Sequence, residues 1–315
     1  MIETQTLRKD FGAFTAVRDI SFRVNEGEVL GFLGPNGAGK STTMKMIAGF
    51  LAPTSGQVSV CGFDVLREPL KTKSVMGYLP EGAPSYDEMT PRSFLEFVAD
   101  IRGLKGDDRR RRIDDVVGRL QLENVLEQSI ETLSKGYKRR VGLAQAIVHD
   151  PKVLILDEPT DGLDPNQKHE VRALIRDIAK DKTIVISTHI LEEVNAVCTR
   201  AVIIADGAVL ADDTPAGLEA RSRFHNAVRL SVADDAALPA VREALQSLES
   251  VASLEQGEDG TGVIALPKSG HDLFADVSQL VADKGWAISQ IEKDRGRLED
   301  VFRDITLRES EVQHG

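Results

Sequence analysis

The sequence of 315 residues predicts an α/β fold with a parallel sheet covered on both faces, followed by a smaller α+β domain. Two observations predict the sheet: continuous apolar runs alternate with helical patterns, and a glycine-rich string joins one apolar run to a helix. A change to short, alternating runs in the last third of the chain predicts the smaller domain. We therefore assign residues 1–218 to the first domain and residues 219–315 to the second.

Residues 1 to about 80 alternate short apolar runs with turns, which predicts a β-region that merges into the α/β core. Within it, residues 29–33 have the pattern of a buried strand, and residues 41–48 that of a helix that Gly49 ends. From about residue 85 to 150 the pattern becomes helical. We therefore expect a helical insert in this part of the first domain.

The strand pattern returns in the last part of the first domain. Strands are predicted at residues 153–156, 183–187 and 201–205, with helices at 167–179 and 191–198 between them. This alternation is typical of a parallel sheet, in which ligands bind at the carboxyl ends of the strands. We therefore expect the polar groups that follow these strands to meet at one edge of the sheet.

The second domain has the predicted order βαββαβ, which is that of a ferredoxin-like module. In chain order its predicted elements are a strand at 228–232, a helix at 239–248, a hairpin within 251–267 that turns at 259–262, a helix at 272–284, a strand at 286–291 and a closing helix at 298–307.

The composition is that of a soluble globular protein, with 41% hydrophobic and 28% charged residues. The net charge of −11 argues against broad binding of nucleic acid, because phosphate backbones bind to basic surfaces. Cys61 and Cys198 form no CxxC pair and no metal-ligand spacing, which favours a reducing cytoplasm. No apolar run reaches the roughly 18 residues of a membrane-spanning helix, and the N-terminus lacks the apolar core of a signal peptide. We therefore expect any membrane role to depend on a partner.

A complete phosphate-binding loop follows the predicted strand at residues 29–33. Its glycines allow backbone N–H groups to approach a phosphate, and the N-terminus of the next helix favours an anion. Lys40 is expected to reach the β- and γ-phosphates, and the Ser41 hydroxyl to hold Mg²⁺. The alternative is an ordinary glycine-rich turn. The residues assigned to nucleotide binding in this loop are Gly34, Pro35, Asn36, Gly37, Ala38, Gly39, Lys40, Ser41 and Thr42.

Acidic residues and a histidine follow two other predicted strands. Asp157 is placed to hold Mg²⁺ opposite Ser41, and Glu158 to polarise the attacking water as a general base. The alternative is an acidic pair that caps the next helix. His189 is expected to contact the γ-phosphate or the water, although a lone histidine is also typical of an ordinary surface or core position. The predicted catalytic residues are Glu158, His189 and Lys40.

An aromatic residue precedes the phosphate loop. Phe11 can stack on an adenine ring, and the alternative is a buried phenylalanine at the end of a strand. The string Asp10-Phe11-Gly12 also occurs in protein kinases, but no His-Arg-Asp string follows it, which excludes a kinase.

Together these residues resemble the ATP-binding subunit of an ABC transporter, over about residues 1–220. Residues 34–42 match the Walker A element, and residues 153–158 match the Walker B element with its catalytic glutamate. Residues 133–137, Leu-Ser-Lys-Gly-Tyr, match the family signature, and residues 161–164 resemble the D-loop.

The resemblance implies an ATPase that uses ATP and Mg²⁺, with His189 as its switch histidine and Phe11 as its adenine-stacking aromatic residue. It also implies a head-to-tail homodimer, or a pair with another ABC subunit, in which signature residues of one copy cover ATP bound to the other. Those signature residues are Ser134, Lys135 and Gly136. The pair would drive an integral membrane permease from the cytoplasmic face of the cell membrane. Apart from this resemblance, we hypothesise that the second domain regulates or stabilises the dimer.

Two departures from the commonest family pattern concern the nucleotide site. Lys135 and Tyr137 stand where the signature usually has glycine and glutamine, and Glu81 stands where the Q-loop has glutamine. A carboxylate at Glu81 can still bind Mg²⁺ or water. With the second domain, these departures resemble a subgroup associated with gliding-motility, sodium-export and multidrug-export systems, which implies an exporter.

The alternative function is that of a soluble ABC-type ATPase acting on ribosomes or nucleic acid. Such proteins usually carry two nucleotide domains in one chain or a long coiled-coil insert. This sequence has one phosphate-binding loop and no sustained heptad run, so we expect no nucleic-acid partner.

Overall fold

The computed structural model describes residues 1–82, 86–233, 235–257, 262–268 and 270–314. The chain divides into two compact units, Met1–Thr214 and Pro215–Gly315, so the division lies slightly before the predicted domain boundary at 218. Among the described residues, no helix combines the length and apolar character needed to cross a membrane.

The first unit contains two sheets with helices between and around their strands. Its strands are β1 (Ile2–Phe11), β2 (Phe14–Val24), β3 (Val29–Leu33), β4 (Ser55–Val60), β5 (Phe63–Asp64), β6 (Met76–Leu79), β7 (Val153–Asp157), β8 (Thr183–Thr188), β9 (Arg200–Ala205) and β10 (Ala208–Asp213). Its α-helices are α1 (Lys40–Ile47), α2 (Pro69–Ser74), α3 (Pro91–Ile101), α4 (Gly106–Arg119), α5 (Lys135–Ile147), α6 (Pro165–Ile178) and α7 (Leu191–Val197).

The larger sheet has the strand order β10-β9-β3-β8-β7-β6. Its neighbouring strands are parallel from β9 to β6, and β10 pairs with β9 in the antiparallel sense. Every residue of β3, β7 and β8 is buried, which explains why the apolar residues of these strands form runs rather than alternating with polar ones. The predicted parallel sheet is therefore confirmed.

The smaller sheet has the order β2-β1-β4-β5 and is antiparallel throughout. One face packs on the core of the first unit through side chains such as Leu7, Val17 and Val58. The β-region predicted for the first part of the chain is therefore present as a separate sheet.

The predicted helical insert corresponds to α3, α4 and α5. Thr90 begins α3 with a capping box, in which its side chain accepts from Ser93 N while the Ser93 side chain accepts from Thr90 N. Pro91 occupies the first turn, where its missing N–H costs nothing. The apolar side of α3 is buried through Phe94 and Leu95.

The second unit contains a four-stranded antiparallel sheet of order β12-β13-β11-β14. Val228 and Val263 of this sheet pack against Val241 and Val277 of its helices. The observed elements reproduce the predicted βαββαβ order, and residues 259–261 of the predicted hairpin turn lie outside the described residues. The elements are α8 (Pro215–Glu219), β11 (Val228–Val232), α9 (Leu238–Gln246), β12 (Val251–Gln256), β13 (Val263–Pro267), α10 (Leu273–Lys284), β14 (Ile288–Lys293) and α11 (Leu298–His314).

Candidate nucleotide-binding site

The loop between β3 and α1 requires glycine at several positions. Gly37 and Gly39 have φ values of 83° and 100°, a region in which other residues are strained. A Cβ on Gly34 would lie 2.3 Å from Ile204 O, and one on Gly39 would lie 2.5 Å from Ala16 O. The loop is therefore held closely against β9 and β2.

Lys40 lies inside this loop at the start of α1. Its Nζ donates to Gly34 O at 2.7 Å and to Pro35 O at 3.0 Å, and the residue is buried. Burial lowers the pKa of the Lys40 ammonium, and this effect is opposed by the carboxylates of Glu158 and Asp157. The Lys40 ammonium is thus surrounded by carbonyl and carboxylate oxygens. Its N–H groups now donate to two carbonyls, and they can donate to an incoming phosphate instead.

Asp157 ends β7 and is completely buried. Its Oδ1 accepts from Ser41 Oγ at 3.4 Å and also from Ser187 Oγ. Its Oδ2 is buried and has no hydrogen-bond partner among the residues that the structure describes. Because a buried carboxylate oxygen without a partner is costly, this atom is suited to a cation or a cation-bound water beside Ser41.

Glu158 and His189 come together directly beyond the ends of β7 and β8. His189 Nδ1 lies 2.9 Å from Glu158 Oε2, within hydrogen-bonding distance. The Glu158 side chain is 13% exposed and that of His189 is 55% exposed, so the pair faces solvent from the histidine side. Glu158 N donates to Ser187 O at 3.1 Å, which fastens the turn to β8. The predicted convergence of polar groups at one edge is confirmed for these two residues and for Ser41 with Asp157.

Glu158 itself has a strained backbone, with a φ of 52°. A residue with a side chain rarely adopts this left-handed conformation, and such strain is found most often at functional sites. A helix cap would not require this strain. The next helix, α6, is capped instead by Asp164, whose Oδ1 accepts from Gln167 N at 2.9 Å, which argues against the capping interpretation of the acidic pair.

Arg139 was not predicted from the sequence as a residue of this site, but its guanidinium donates hydrogen bonds to the backbone there. It is 5% exposed and donates to Pro80 O at 3.0 Å and to the carbonyl oxygens of Asp157 and Glu158. Burial lowers the pKa of Arg139, and nearby carboxylates including Asp161 oppose this effect. Its acceptors are backbone carbonyls far away in the sequence, so no local motif marks the residue.

Glu81 follows β6 and has an exposed side chain. Its carboxylate acts with Asp157 in raising the pKa of Tyr78 to about 12, although burial of the Tyr78 hydroxyl is the larger cause. It also favours the charged form of Lys40. Glu81 is thus close enough to the phosphate-binding loop to contribute to its electrostatic field.

Phe11 is 50% exposed at the end of β1, opposite Phe14 in the hairpin between β1 and β2. The interpretation of Phe11 as a buried strand-end residue is therefore wrong. The Lys9 ammonium lies over one face of the Phe11 ring, 5.1 Å from the ring centroid.

The signature residues begin α5. Ser134 Oγ accepts from Tyr137 N at 3.3 Å, so this hydroxyl caps its own helix. Gly136 is closely packed, because a Cβ there would lie 2.6 Å from Gln167 Oε1. Ser134 and Lys135 are exposed, and in a single copy of the chain the Ser134 side chain is engaged at its own helix rather than at the phosphate-binding loop.

A second surface of the first unit is an apolar groove of about 650 Å³ between the sheet, α2 and α3. Phe50, Leu70 and Ile101 in it are 67%, 82% and 67% exposed, which is unusual for side chains of this size. Lys45, Lys73 and Arg102 also line the groove and give it a positive rim.

Comparisons with known proteins agree with this geometry. A family model described as "ABC transporter" matches residues 17–161. An uncharacterised ABC transporter ATP-binding protein, YxlF of Bacillus subtilis, is 33% identical over 307 residues, which cover 97% of this chain and 99% of that protein. The Nod factor export ATP-binding protein I of Paraburkholderia xenovorans is 36% identical over 218 residues, or 69% of this chain and 72% of that protein. A solved structure of an ATP-binding subunit of an ABC transporter is 32% identical with a TM-score of 0.66, covering 70% of this chain and 92% of that one.

Proposed function

The chain belongs to the ABC transporter family as one of its ATP-hydrolysing, ATP-binding subunits, and from this premise we propose which residues bind and cleave ATP and what the hydrolysis drives. One observation carries the residue assignment. The unpartnered Asp157 Oδ2 and the Glu158–His189 pair lie at the same edge of the sheet as the phosphate-binding loop. The groups that we assign to metal binding, to base catalysis and to phosphate binding are thus adjacent.

The triphosphate of ATP would lie in the loop of residues 34–42, where backbone N–H groups and the N-terminus of α1 favour anions. Lys40 would exchange the carbonyls of Gly34 and Pro35 for the β- and γ-phosphates, since a phosphate oxygen is a stronger acceptor for an ammonium group. Phe11 would stack on the adenine ring.

Mg²⁺ fits the donor set beside this loop, because a serine hydroxyl and carboxylates are the oxygen ligands that it prefers. Ser41 Oγ would bind the ion directly, Asp157 would hold it through a water, and Glu81 would add a third oxygen from the end of β6. When bound, the ion neutralises charge on the β- and γ-phosphates.

Glu158 would accept a proton from the attacking water as the water oxygen bonds to the γ-phosphorus and the bond to the bridging oxygen of ADP breaks. His189 would hold the Glu158 carboxylate through its Nδ1 and present its other ring nitrogen to the γ-phosphate. The products are ADP and inorganic phosphate.

Two copies would act head to tail, so that Ser134, Lys135 and Gly136 of one copy complete the ATP site of the other. The exposed start of α5 is consistent with this role. Closing the pair would exclude water from the site and hold the groups for reaction. We assign the second unit to regulation or stabilisation of this dimer. The match to the relative YxlF extends over both units of the chain.

The motion would drive a separate integral membrane permease at the cytoplasmic face of the membrane. The apolar groove with its basic rim is the surface we assign to a cytoplasmic helix of that permease, because a transporter subunit needs such a contact and Phe50, Leu70 and Ile101 leave a large apolar area exposed there. Export is the proposed direction, since the relative from Paraburkholderia xenovorans is an export protein.

Affinity purification of the full-length chain from native membranes tests the permease assignment. Recovery of a multi-spanning membrane protein supports it, whereas recovery of ribosomes or nucleic acid supports the alternative soluble ATPase. Leu70→Asp places a charge in the groove, and Leu66→Asp places one at an exposed leucine that does not line the groove. We expect Leu70→Asp alone to lose the membrane protein, with ATP binding unchanged in both. Retention by Leu70→Asp would exclude the groove as the docking site.

A further inference from the structure

A buried carboxylate lies behind the candidate catalytic residues. Glu193, in the first turn of α7, is 2% exposed. Its Oε2 accepts from Thr188 Oγ1 at 2.7 Å, and its Oε1 accepts from Thr160 Oγ1. Both threonines are buried as well. One carboxylate therefore joins two segments that are nearly thirty residues apart in the chain.

Each of these segments carries a proposed catalytic residue. Thr188 directly precedes His189, and its hydroxyl also accepts from Ile190 N at 3.0 Å, so it spans the turn at His189. Thr160 follows Glu158 by two residues, and Asp161 N donates to Glu158 O at 3.1 Å within the same turn. Through its hydrogen bonds to Thr160 and Thr188, Glu193 thus links the turn that carries Glu158 to the turn that carries His189.

A buried carboxylate such as that of Glu193 is unfavourable unless neighbouring groups stabilise it. Burial raises the pKa of the Glu193 carboxyl, which shows that the site disfavours its ionised form. Arg172 is the nearest cation, at 3.9 Å from Glu193 Oε1, but Arg172 lies closer to the exposed Glu192, at 2.8 Å. The two threonine hydroxyls are therefore the principal partners of the Glu193 carboxylate, and an apolar residue there would leave both hydroxyl protons buried without the acceptor that Glu193 provides.

We propose that Glu193 is a positioning residue for ATP hydrolysis, which holds the Glu158 turn and the His189 turn in register through Thr160 and Thr188. This inference rests on the roles proposed above for Glu158 and His189. Displacing a catalytic group by about 1 Å can cost on the order of 100-fold in rate. The effect is expected on kcat, because Glu193 touches neither the phosphate-binding loop nor Phe11 in the hydrogen bonds that it makes.

The test compares four full-length variants by steady-state ATP hydrolysis and by thermal unfolding. Glu193→Ala removes both hydrogen bonds, and Glu193→Gln keeps the shape and one acceptor. Glu192→Gln is the charge control, since Glu192 is the exposed neighbour that shares Arg172. Val197→Ala is the packing control, because Val197 is buried on the same helix.

We expect Glu193→Ala to lower kcat by roughly 10- to 100-fold with KM for ATP changed less than about threefold, and Glu193→Gln to recover part of that loss. Val197→Ala should lower the unfolding temperature without a comparable loss of kcat, and Glu192→Gln should change neither. If Glu193→Ala does not fold, Thr188→Val removes one of the two hydrogen bonds and should show the same fall in kcat. If Glu193→Ala loses no more kcat than Val197→Ala does at a comparable fall in unfolding temperature, the proposal is overturned.

This result is separable from the proposed function. If Glu158→Gln remains active, the assignment of Glu158 as the base is wrong. If Glu158→Gln is inactive while Glu193→Ala and Thr188→Val turn over normally, the base assignment stands and only the positioning role of Glu193 is wrong.

Discussion

Glu158 Oε2 and His189 Nδ1 lie 2.9 Å apart although the residues are separated by 31 positions. The parallel register of β7 with β8 explains this, because Asp157 pairs with Ser187 and the two strands therefore end together. The strained backbone of Glu158 then turns its side chain towards the histidine. The proposed base and the histidine beside it thus each directly follow a strand of the sheet.

Replacing Glu158 by glutamine should remove the general base while keeping the size of the side chain. We expect ATP hydrolysis to fall by about 100- to 10,000-fold, with the Kd for ATP unchanged within about threefold. Steady-state phosphate release and equilibrium binding of ATP are the measurements. The ATP-bound variant should also remain dimeric for longer, which size-exclusion chromatography detects.

Glu123→Gln provides the matched control for that variant, because Glu123 is an exposed glutamate outside the site. It should hydrolyse ATP at the normal rate. Rapid hydrolysis by Glu158→Gln would remove Glu158 from the proposed role and leave the strain at this residue without an explanation.

Replacing Asp157 by asparagine should weaken the response to Mg²⁺. The asparagine Oδ1 can still accept from Ser41 and Ser187, but an NH₂ group replaces the unpartnered Oδ2 with a donor. If Asp157 holds the ion through a water, we expect the half-saturating Mg²⁺ concentration for ATP hydrolysis to rise by about 10- to 100-fold.

Asp177→Asn is the control for this experiment, since Asp177 is an exposed aspartate on α6. Titration of Mg²⁺ at fixed, saturating ATP separates metal binding from nucleotide binding. A normal Mg²⁺ response in Asp157→Asn would contradict the metal assignment.

Phe11 and Phe14 form a natural pair of test and control positions, because both are exposed and they face each other across the β1–β2 hairpin. Stacking of one base on an aromatic ring is worth about 1–3 kcal/mol. Phe11→Ala should therefore raise the Kd for ATP by about 5- to 150-fold, and Phe14→Ala should leave it unchanged. Binding of Mg²⁺-ATP by calorimetry distinguishes them, and equal effects of the two substitutions would argue against stacking on Phe11.

The sequence predicted the elements of this site well because the strand pattern, the glycine spacing and the polar residues after the strands are all local features. The strand at 29–33 and the side chains of Ser41, Asp157, Glu158 and His189 are found as expected. Arg139 and Glu193 could not be found in this way. Their significance depends on burial and on partners brought close only by the fold, namely the carbonyls at residues 157–158 and the hydroxyls of Thr160 and Thr188.

Strand β3, which leads into the phosphate-binding loop, makes a close contact from which we predict an effect on stability. Gly31 lies in the middle of this buried strand, and a Cβ there would lie 2.7 Å from Cys198 Sγ. Gly31→Ala should therefore overpack the core and lower the free energy of unfolding by about 1–3 kcal/mol. Urea unfolding of the full chain measures this loss from the midpoint of the transition.

Cys198→Ala should relieve that clash, because the other neighbours of the added methyl, Cys198 Cβ at 3.5 Å and Val194 Cγ2 at 3.7 Å, are at ordinary contact distances. Adding Gly31→Ala to Cys198→Ala should then cost much less than adding it to the natural chain, since the two substitutions share one contact and are not additive. Equal costs in the two backgrounds would mean that the strand, rather than the thiol, excludes a side chain at Gly31.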